Sequence, residues 1–177
     1  VQMQLAAFNS DDRADGNGKA TTTWISRDLL SIKSQMSSNA SKVTYLHYGN
    51  TFKTVGGVNW ETCIVRLFLQ NDVYSAIPGF IRKKLLPVTK VSRDEISRGY
   101  VTTDDIVWIP SLEEVTGRHA TYGQLFEQDN SRIKKKSGEK EKWWLRDSGL
   151  SGDWSSAFSV ITAYGSTSSI FADNDAG

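Results

Sequence analysis

The chain has 177 residues, 38% hydrophobic and 11% aromatic, which suits a folded core and excludes a disordered chain. The net charge of +1 excludes a global field that attracts nucleic acid. The single cysteine, Cys63, excludes a disulfide within the sequence, and no apolar run is long enough to insert across a membrane. We therefore expect one domain over residues 1–177, cut from a longer protein.

The first half of the chain predicts two strands and then two helices. Residues 1–8 alternate like a strand, 21–25 are rich in β-formers, and Ser26 can cap a short helix over 26–30. A longer helix is predicted from Asn59 to Asp72. Its apolar stripe falls at helical spacing on Trp60, Cys63, Ile64, Leu67 and Phe68. A second helix is predicted between Pro78 and Pro87.

The second half predicts strands with one short helix. Residues 106–109 form an apolar run that predicts a strand, and Ser111 with Glu114 stands in capping-box register. Residues 158–164 and 168–172 predict a hairpin joined across 165–167. The lysines at 134–136 predict a solvated loop rather than a nucleic-acid patch, because Glu139 and Glu141 are interleaved with the nearby lysines.

The residues that could carry chemistry do not combine into a catalytic or metal site. His47 and His119 lack metal-ligand spacing, and Cys63 lies on an apolar stripe, as a buried structural thiol would. We therefore expect no metal, no cofactor and no enzymatic activity.

Two acidic stretches also favour structural interpretations. The stretch from Asp11 to Gly18 resembles a calcium loop but has Arg13 at a ligand position, so a solvated turn is favoured. Glu113 and Glu114 are adjacent, which suits helix capping better than paired acid–base chemistry.

Aromatic residues and small hydroxyl residues alternate in the last third of the chain. This composition is typical of adaptable recognition surfaces, and a Ser/Thr-rich hairpin with one wet face explains it equally well. On the recognition hypothesis the candidate ligand-binding residues are Trp154, Ser155, Ser156, Phe158, Ser159, Thr162, Tyr164, Ser166, Thr167 and Ser168.

Several motifs together resemble one bacterial and phage family, DUF6273. The closing motif Trp143-Trp144-Leu145-Arg146 is followed by a Ser/Gly turn and a strand pair, as in that family. Residues 7–20, the helix from Asn59 to Leu69 and the block 102–115 are similar to its other conserved stretches, in the same order.

The resemblance implies an α+β, C-type-lectin-like fold, with two helices packed on small antiparallel sheets. It also implies kinship with formylglycine-generating enzymes and with the variable proteins of diversity-generating retroelements, which bind ligands near the C-terminus. By position this points to residues 154–169 as the binding face. The scaffold would comprise Trp60, Arg66, Trp108, Trp143, Trp144, Leu145 and Arg146, and an arginine with five donors suits such a role.

The sequence departs from these families in ways that limit the inference. Asp147 intervenes before the expected serine, and the family's final strand has no counterpart in residues 173–177, so we expect a fragment lacking its last strand. The sugar-binding motif of true C-type lectins and the paired cysteines of formylglycine-generating enzymes are absent from the sequence.

These patterns predict a non-enzymatic, receptor- or adhesin-like binding domain on a cell surface or phage tail. Its partner would be a protein or glycan on a target surface, with no nucleic acid and with homo-oligomerisation as an option. The alternatives are a structural component of a phage virion, or a relative of formylglycine-generating enzymes without visible catalytic residues.

Overall fold

Short antiparallel strand pairs, rather than one large sheet, organise the chain. The computed structural model describes residues 1–31, 33–36, 59–94, 99–116, 120–148, 157–172 and 176–177. Prediction and structure agree that the chain is α+β, since short helices alternate with small antiparallel sheets. Within the described residues the strands form three two-stranded sheets and one three-stranded sheet.

The two N-terminal strands that the sequence predicts are present as β1 (Met3–Phe8) and β2 (Thr22–Ser26), and they pair with each other. The predicted helix over 26–30 is wrong, because β2 runs through Ser26 and the chain then bends. The Lys134 ammonium donates to the carbonyls of Ser26 and Arg27, which satisfies backbone acceptors that a helix would have used internally.

The central helical segment is longer and less regular than the sequence predicts. A 3₁₀ turn (Trp60–Thr62) is followed by α1 (Ile64–Phe68), a π-helical stretch (Leu69–Val73) and α2 (Tyr74–Ala76). The predicted stop at Asn71-Asp72 is wrong, because the chain widens into π geometry there and stays helical for another turn. The separate helix after Pro78 is present as α3 (Gly79–Arg82).

A seven-rung hairpin follows, formed by β3 (Val88–Asp94) and β4 (Gly99–Asp105). The predicted strand over 106–109 is wrong, since β4 ends at Asp105. The apolar run instead lies along the core, where Val107, Trp108 and Ile109 pack against a cluster that includes Trp60 and Trp144.

Three short helices carry the chain to the C-terminal sheet: α4 (Leu112–Val115), α5 (Gly123–Phe126) and α6 (Asp129–Arg132). The capping box predicted at α4 is present, with Ser111 Oγ accepting from the Glu114 amide at 3.1 Å and a Glu114 carboxylate oxygen accepting from the Ser111 amide at 2.9 Å. The helix therefore begins where the capping signal indicates.

The predicted solvated loop at 134–136 is wrong. Strands β5 (Lys134–Lys136) and β6 (Glu139–Glu141) form a hairpin whose Ser137 and Gly138 both have positive φ, as a type I′ turn requires. Lys134 is buried beneath it, with its ammonium 5.6 Å from the centre of the Trp143 ring. Burial lowers the pKa of Lys134 to about 8.

The C-terminal sheet is the most deeply buried part of the fold. Its order is β7 (Trp143–Ser148), β8 (Ala157–Ile161) and β9 (Thr167–Phe171), and every residue of β7 and β8 is buried. The predicted hairpin between β8 and β9 is present, but its predicted turn at 165–167 is wrong: β8 ends at Ile161 and β9 begins at Thr167, so the turn lies at residues 162–166. The sheet separates two apolar clusters, because Trp144 and Phe158 face one cluster while Trp143 and Ile161 face the other.

Gly165, in the turn between β8 and β9, provides a test of the packing. It has φ +85°, and a Cβ built there would lie 1.8 Å from the carbonyl oxygen of Asp129 in α6. Gly165→Ala should therefore cost more than the ~1–2 kcal/mol of left-handed strain alone. Gly138→Ala is the matched control, since Gly138 has φ +91° and open space around it. Urea denaturation compares the two, and equal losses would contradict the packing described for the turn.

Candidate functional site

Polar side chains border a charged cavity beneath α4 and an open groove beside the turn at 162–166. The cavity has a volume of about 220 Å³ and is bordered by Asp11, Lys90, Glu114 and Arg146 among others. Four carboxylates and two cations border the cavity, and a catalytic site would require such a gathering of charges.

Lys90 lies at the centre of this charged network and is almost fully buried. Its ammonium donates to a carboxylate oxygen of Asp11, to a Glu114 oxygen at 2.9 Å and to the Tyr122 hydroxyl at 3.0 Å. The same ammonium lies 4.4 Å from the centre of the Trp108 ring. All three ammonium protons therefore have acceptors, and an aromatic face covers the charge.

Glu114 and Arg146 form the second half of the network. Arg146 Nη1 and Nη2 each donate to one carboxylate oxygen of Glu114, at 2.5 and 2.7 Å, in the two-pronged geometry that favours this pair. The same two nitrogens donate to the carbonyls of Ile109 and Val91. One guanidinium thus ties β7, β3 and the segment before α4 together.

The pKa shifts follow from this arrangement. Burial opposes the ionisation of Glu114, but the hydrogen bonds and charge of Arg146, together with Lys90, outweigh it and lower the pKa of Glu114. Burial likewise opposes the ionisation of Asp11, and the charge of Lys90 reverses the balance and lowers its pKa. Both carboxylates are therefore held ionised, and their lone pairs are already occupied by donors.

Two further buried carboxylates organise the surroundings. Asp105 accepts hydrogen bonds from Trp60 Nε1 at 2.9 Å and from Arg66 Nε at 2.8 Å. It also accepts hydrogen bonds from the Thr103 hydroxyl and the Gln70 side-chain amide. Asp147 accepts from the backbone amides of Arg93 and Leu112. The Asp105 contacts fix the helical segment against the β3–β4 hairpin. The Asp147 contacts fix β3 and the start of α4 against β7.

The turn at 162–166 is held rigidly although it lies at the surface. The amide of Thr162 donates to the Ser166 carbonyl at 2.8 Å, the amide of Gly165 donates to the Thr162 carbonyl at 3.0 Å, and the hydroxyls of Thr162 and Ser166 lie 2.8 Å apart. Tyr164 projects from this turn with 80% of its surface exposed. A rigid backbone therefore displays a large aromatic ring to solvent.

Tyr164 borders an open groove of about 360 Å³ between its turn and the β5–β6 hairpin. The hairpin contributes Lys135, Gly138, Glu139 and Lys140 to this groove. Lys135 is directly opposite Lys140 in the hairpin register, so the two side chains leave the same face. The groove therefore combines one exposed aromatic ring with a pair of like charges.

A comparison with known protein families identifies the family of this chain. The family described as a domain of unknown function, DUF6273, matches residues 21–177. The chain belongs to the DUF6273 family. No curated protein and no solved structure matches it.

The structure divides the predicted binding residues of this DUF6273 chain into three groups. Trp154, Ser155 and Ser156 lie outside the described residues. Phe158 and Ser159 are fully buried in β8, so their prediction as surface ligand contacts is wrong: they lie in the middle strand of the buried sheet. The remaining residues lie on the turn or at the start of β9, with Thr162 half-buried and the others exposed: Tyr164, Ser166, Thr167 and Ser168.

The residues named as scaffold lie in the interior or at its edge. Trp60, Trp143, Trp144, Leu145 and Arg146 are buried, and the structure places Arg66 and Trp108 half-buried beside Asp105 and Lys90. Asp11 is also buried, so its prediction as part of a solvated turn is wrong. Its carboxylate is buried because it accepts hydrogen bonds from the buried Lys90 ammonium and from the Thr23 and Tyr122 hydroxyls.

Sequence reasoning missed two groove residues, Lys135 and Lys140, because residues 134–136 were predicted as a solvated loop. The Ser137-Gly138 pair between short charged runs was the available signal for a hairpin.

Among the described residues, no cluster of His, Cys, Asp and Glu could hold a metal ion. Within the same residues, each helix is too short or too polar to span a membrane.

Glu114 and Glu113 provide a matched test of the buried network, because they are neighbours on α4 and only Glu114 is buried. Glu114→Gln should lower the free energy of unfolding by about 3–5 kcal/mol, since Arg146 would keep a buried charge without its anion and Lys90 would retain only Asp11. Glu113→Gln should stay within about 0.5 kcal/mol of the parent. Guanidinium denaturation measures both, and similar small losses would contradict a structural role for Glu114.

Proposed function

We propose that this chain is a non-enzymatic ligand-binding domain with a C-type-lectin-like fold, and that it binds through the surface around Tyr164. The observation that carries the proposal is the exposure of the Tyr164 ring on a turn fixed by hydrogen bonds and by Gly165. A tyrosine on a fixed backbone loses little conformational entropy on binding, since it has only two side-chain torsions, and it contributes a large contact area.

The neighbouring side chains support recognition rather than catalysis. Ser166, Thr167 and Ser168 are exposed beside Tyr164 and offer short hydroxyls that can donate or accept hydrogen bonds. By contrast, the buried charged groups at the cavity beneath α4 already pair with one another, Asp11 and Glu114 with Lys90, and Glu114 also with Arg146. Displacing Lys90 or Glu114 toward a substrate would break contacts that hold three segments together.

The C-type-lectin-like assignment extends the family membership to a fold and a mode of action. Several small antiparallel sheets, short helices and a C-terminal hairpin that presents a turn at the surface are compatible with it. The variable proteins of diversity-generating retroelements would then be distant relatives. The domain would act on a cell surface or phage tail, with a protein or glycan as its target.

An exposed apolar segment favours a second candidate, a structural component of a larger assembly such as a phage virion. No residue from 70 to 87 is buried, and this stretch exposes 72% of Phe80 and 45% of Leu86. Exposed apolar side chains so close together are typical of surfaces that another subunit covers. In this account the chain would self-associate through that segment, and a strictly monomeric chain in sedimentation velocity would count against it.

The binding proposal is tested with Tyr164→Ala and the matched control Tyr100→Ala. Tyr100 is 63% exposed on β4 and lies outside the groove. Ligands selected with the parent chain from a glycan array and a displayed peptide library should bind Tyr164→Ala about tenfold or more weakly, as expected for a central aromatic anchor. They should bind Tyr100→Ala with unchanged affinity.

Biolayer interferometry gives the dissociation constants, and thermal melting checks that both variants remain folded. Equal affinity of the parent and Tyr164→Ala for every selected ligand would contradict the proposal. So would an equal loss in Tyr100→Ala.

A further inference from the structure

The β5–β6 hairpin distributes its charges unequally between its two faces. On one face Lys134 is opposite Glu141 and Lys136 is opposite Glu139, so each cation faces an anion. On the other face Lys135 is opposite Lys140, and both side chains are exposed. Like charges directly opposite each other across a strand pair are destabilising, so this one rung opposes the pairing that the other two favour.

The like-charged rung faces the groove beside Tyr164. Neither Lys135 nor Lys140 has an ion-pair partner among the described residues. By contrast, Glu141 of the same hairpin forms an ion pair with Lys33, from the N-terminal part of the chain, at 2.9 Å. Glu139 borders the groove at the turn, so the groove carries two positive charges and one negative charge. An anion placed between the two ammonium groups would relieve their repulsion.

We propose that the groove binds an acidic saccharide, with Lys135 and Lys140 holding its carboxylate or sulfate groups and Tyr164 stacking on a sugar ring. This inference rests on the binding function proposed above and adds the chemical class of the ligand.

The lining favours a saccharide over an acidic peptide. Among the described residues that line this groove, Ala163 is the only apolar side chain besides Tyr164, so the groove offers no pocket for an apolar anchor of a peptide. A sugar needs no such pocket, since its C–H face packs on an exposed aromatic ring. Its hydroxyls can bond to polar groups that line the groove, such as the Tyr164 hydroxyl and the ammonium groups of Lys135 and Lys140.

The experiment uses the full 177-residue chain and compares the binding of acidic and neutral probes. Affinity electrophoresis compares oligogalacturonate with its methyl ester, which has the same sugar backbone without the carboxylates. Hyaluronan, chondroitin sulfate and polysialic acid extend the acidic set, dextran is a further neutral probe, and polyglutamate represents an acidic peptide. We expect retardation by at least one acidic saccharide and none by the methyl ester or dextran.

Three variants test which residues hold the charge. Lys135→Gln with Lys140→Gln should weaken binding of the acidic probe about tenfold or more, because two charge-assisted contacts are lost. Lys83→Gln with Lys84→Gln changes the net charge equally at exposed positions outside the groove and should leave affinity nearly unchanged. Glu139→Gln should strengthen binding, since it removes the one anion bordering the groove.

Each other outcome overturns the proposal. Equal binding of neutral probes, equal losses in the two lysine pairs, or absence of binding to every acidic saccharide would exclude an acidic saccharide as the ligand. Polyglutamate binding as tight as that of the sugars would assign the groove to acidic peptides. A Tyr164-dependent ligand that is neutral would reject the ligand class and leave the binding function standing, whereas loss of all Tyr164 dependence would reject both.

Discussion

The paired contact between Arg146 and Glu114 is the interaction on which the rest of the structure depends. Arg146 belongs to the buried strand β7, and Glu114 belongs to the first turn of α4. Their pair joins the C-terminal sheet to a helix 32 residues away in sequence. Lys90 then connects Glu114 to Asp11, which brings the N-terminal loop and the β3–β4 hairpin into the same network.

A buried network of this kind contributes specificity as well as stability. Small sheets of two or three strands have little internal cooperativity, so their relative placement must come from contacts between them. Burying four charges is unfavourable unless each finds its partners, and the geometry that satisfies Lys90, Arg146, Glu114 and Asp11 together is narrow. The network therefore restricts how β1–β2, β3–β4 and β7–β8–β9 can be arranged.

Sequence patterns predicted what local rules control. The capping box at Ser111, the hairpin at the C-terminus and the first two strands follow from capping chemistry, residue alternation and β-propensity. The run from Ile106 to Ile109 was misassigned as a strand because periodicity cannot distinguish a buried strand from a buried irregular segment. The π-helical stretch after Phe68 carries no sequence signal of this kind.

Long-range pairing was beyond sequence reasoning. Asp11 and Lys90 are 79 residues apart, and nothing in a polar loop rich in Asp and Gly indicates that one carboxylate will be buried. The candidate site was predicted only in part, because it too depends on contacts between distant parts of the chain.

Composition indicated Tyr164 and the nearby hydroxyls, but alternation alone could not show that Phe158 and Ser159 point inward. The lysines that border the groove with Tyr164 come from a hairpin that is distant in sequence.

Structure and recognition are separated in this account: the buried charges hold the fold, and the exposed turn beside β5–β6 binds. A double-mutant cycle on Lys90→Met and Glu114→Gln tests the structural role of the buried charges most directly, with the free energy of unfolding as the readout. If the network acts as one unit, the double variant should lose much less than the sum of the single losses, because each single change leaves the other partner unpaired. Strictly additive losses would contradict a shared structural network.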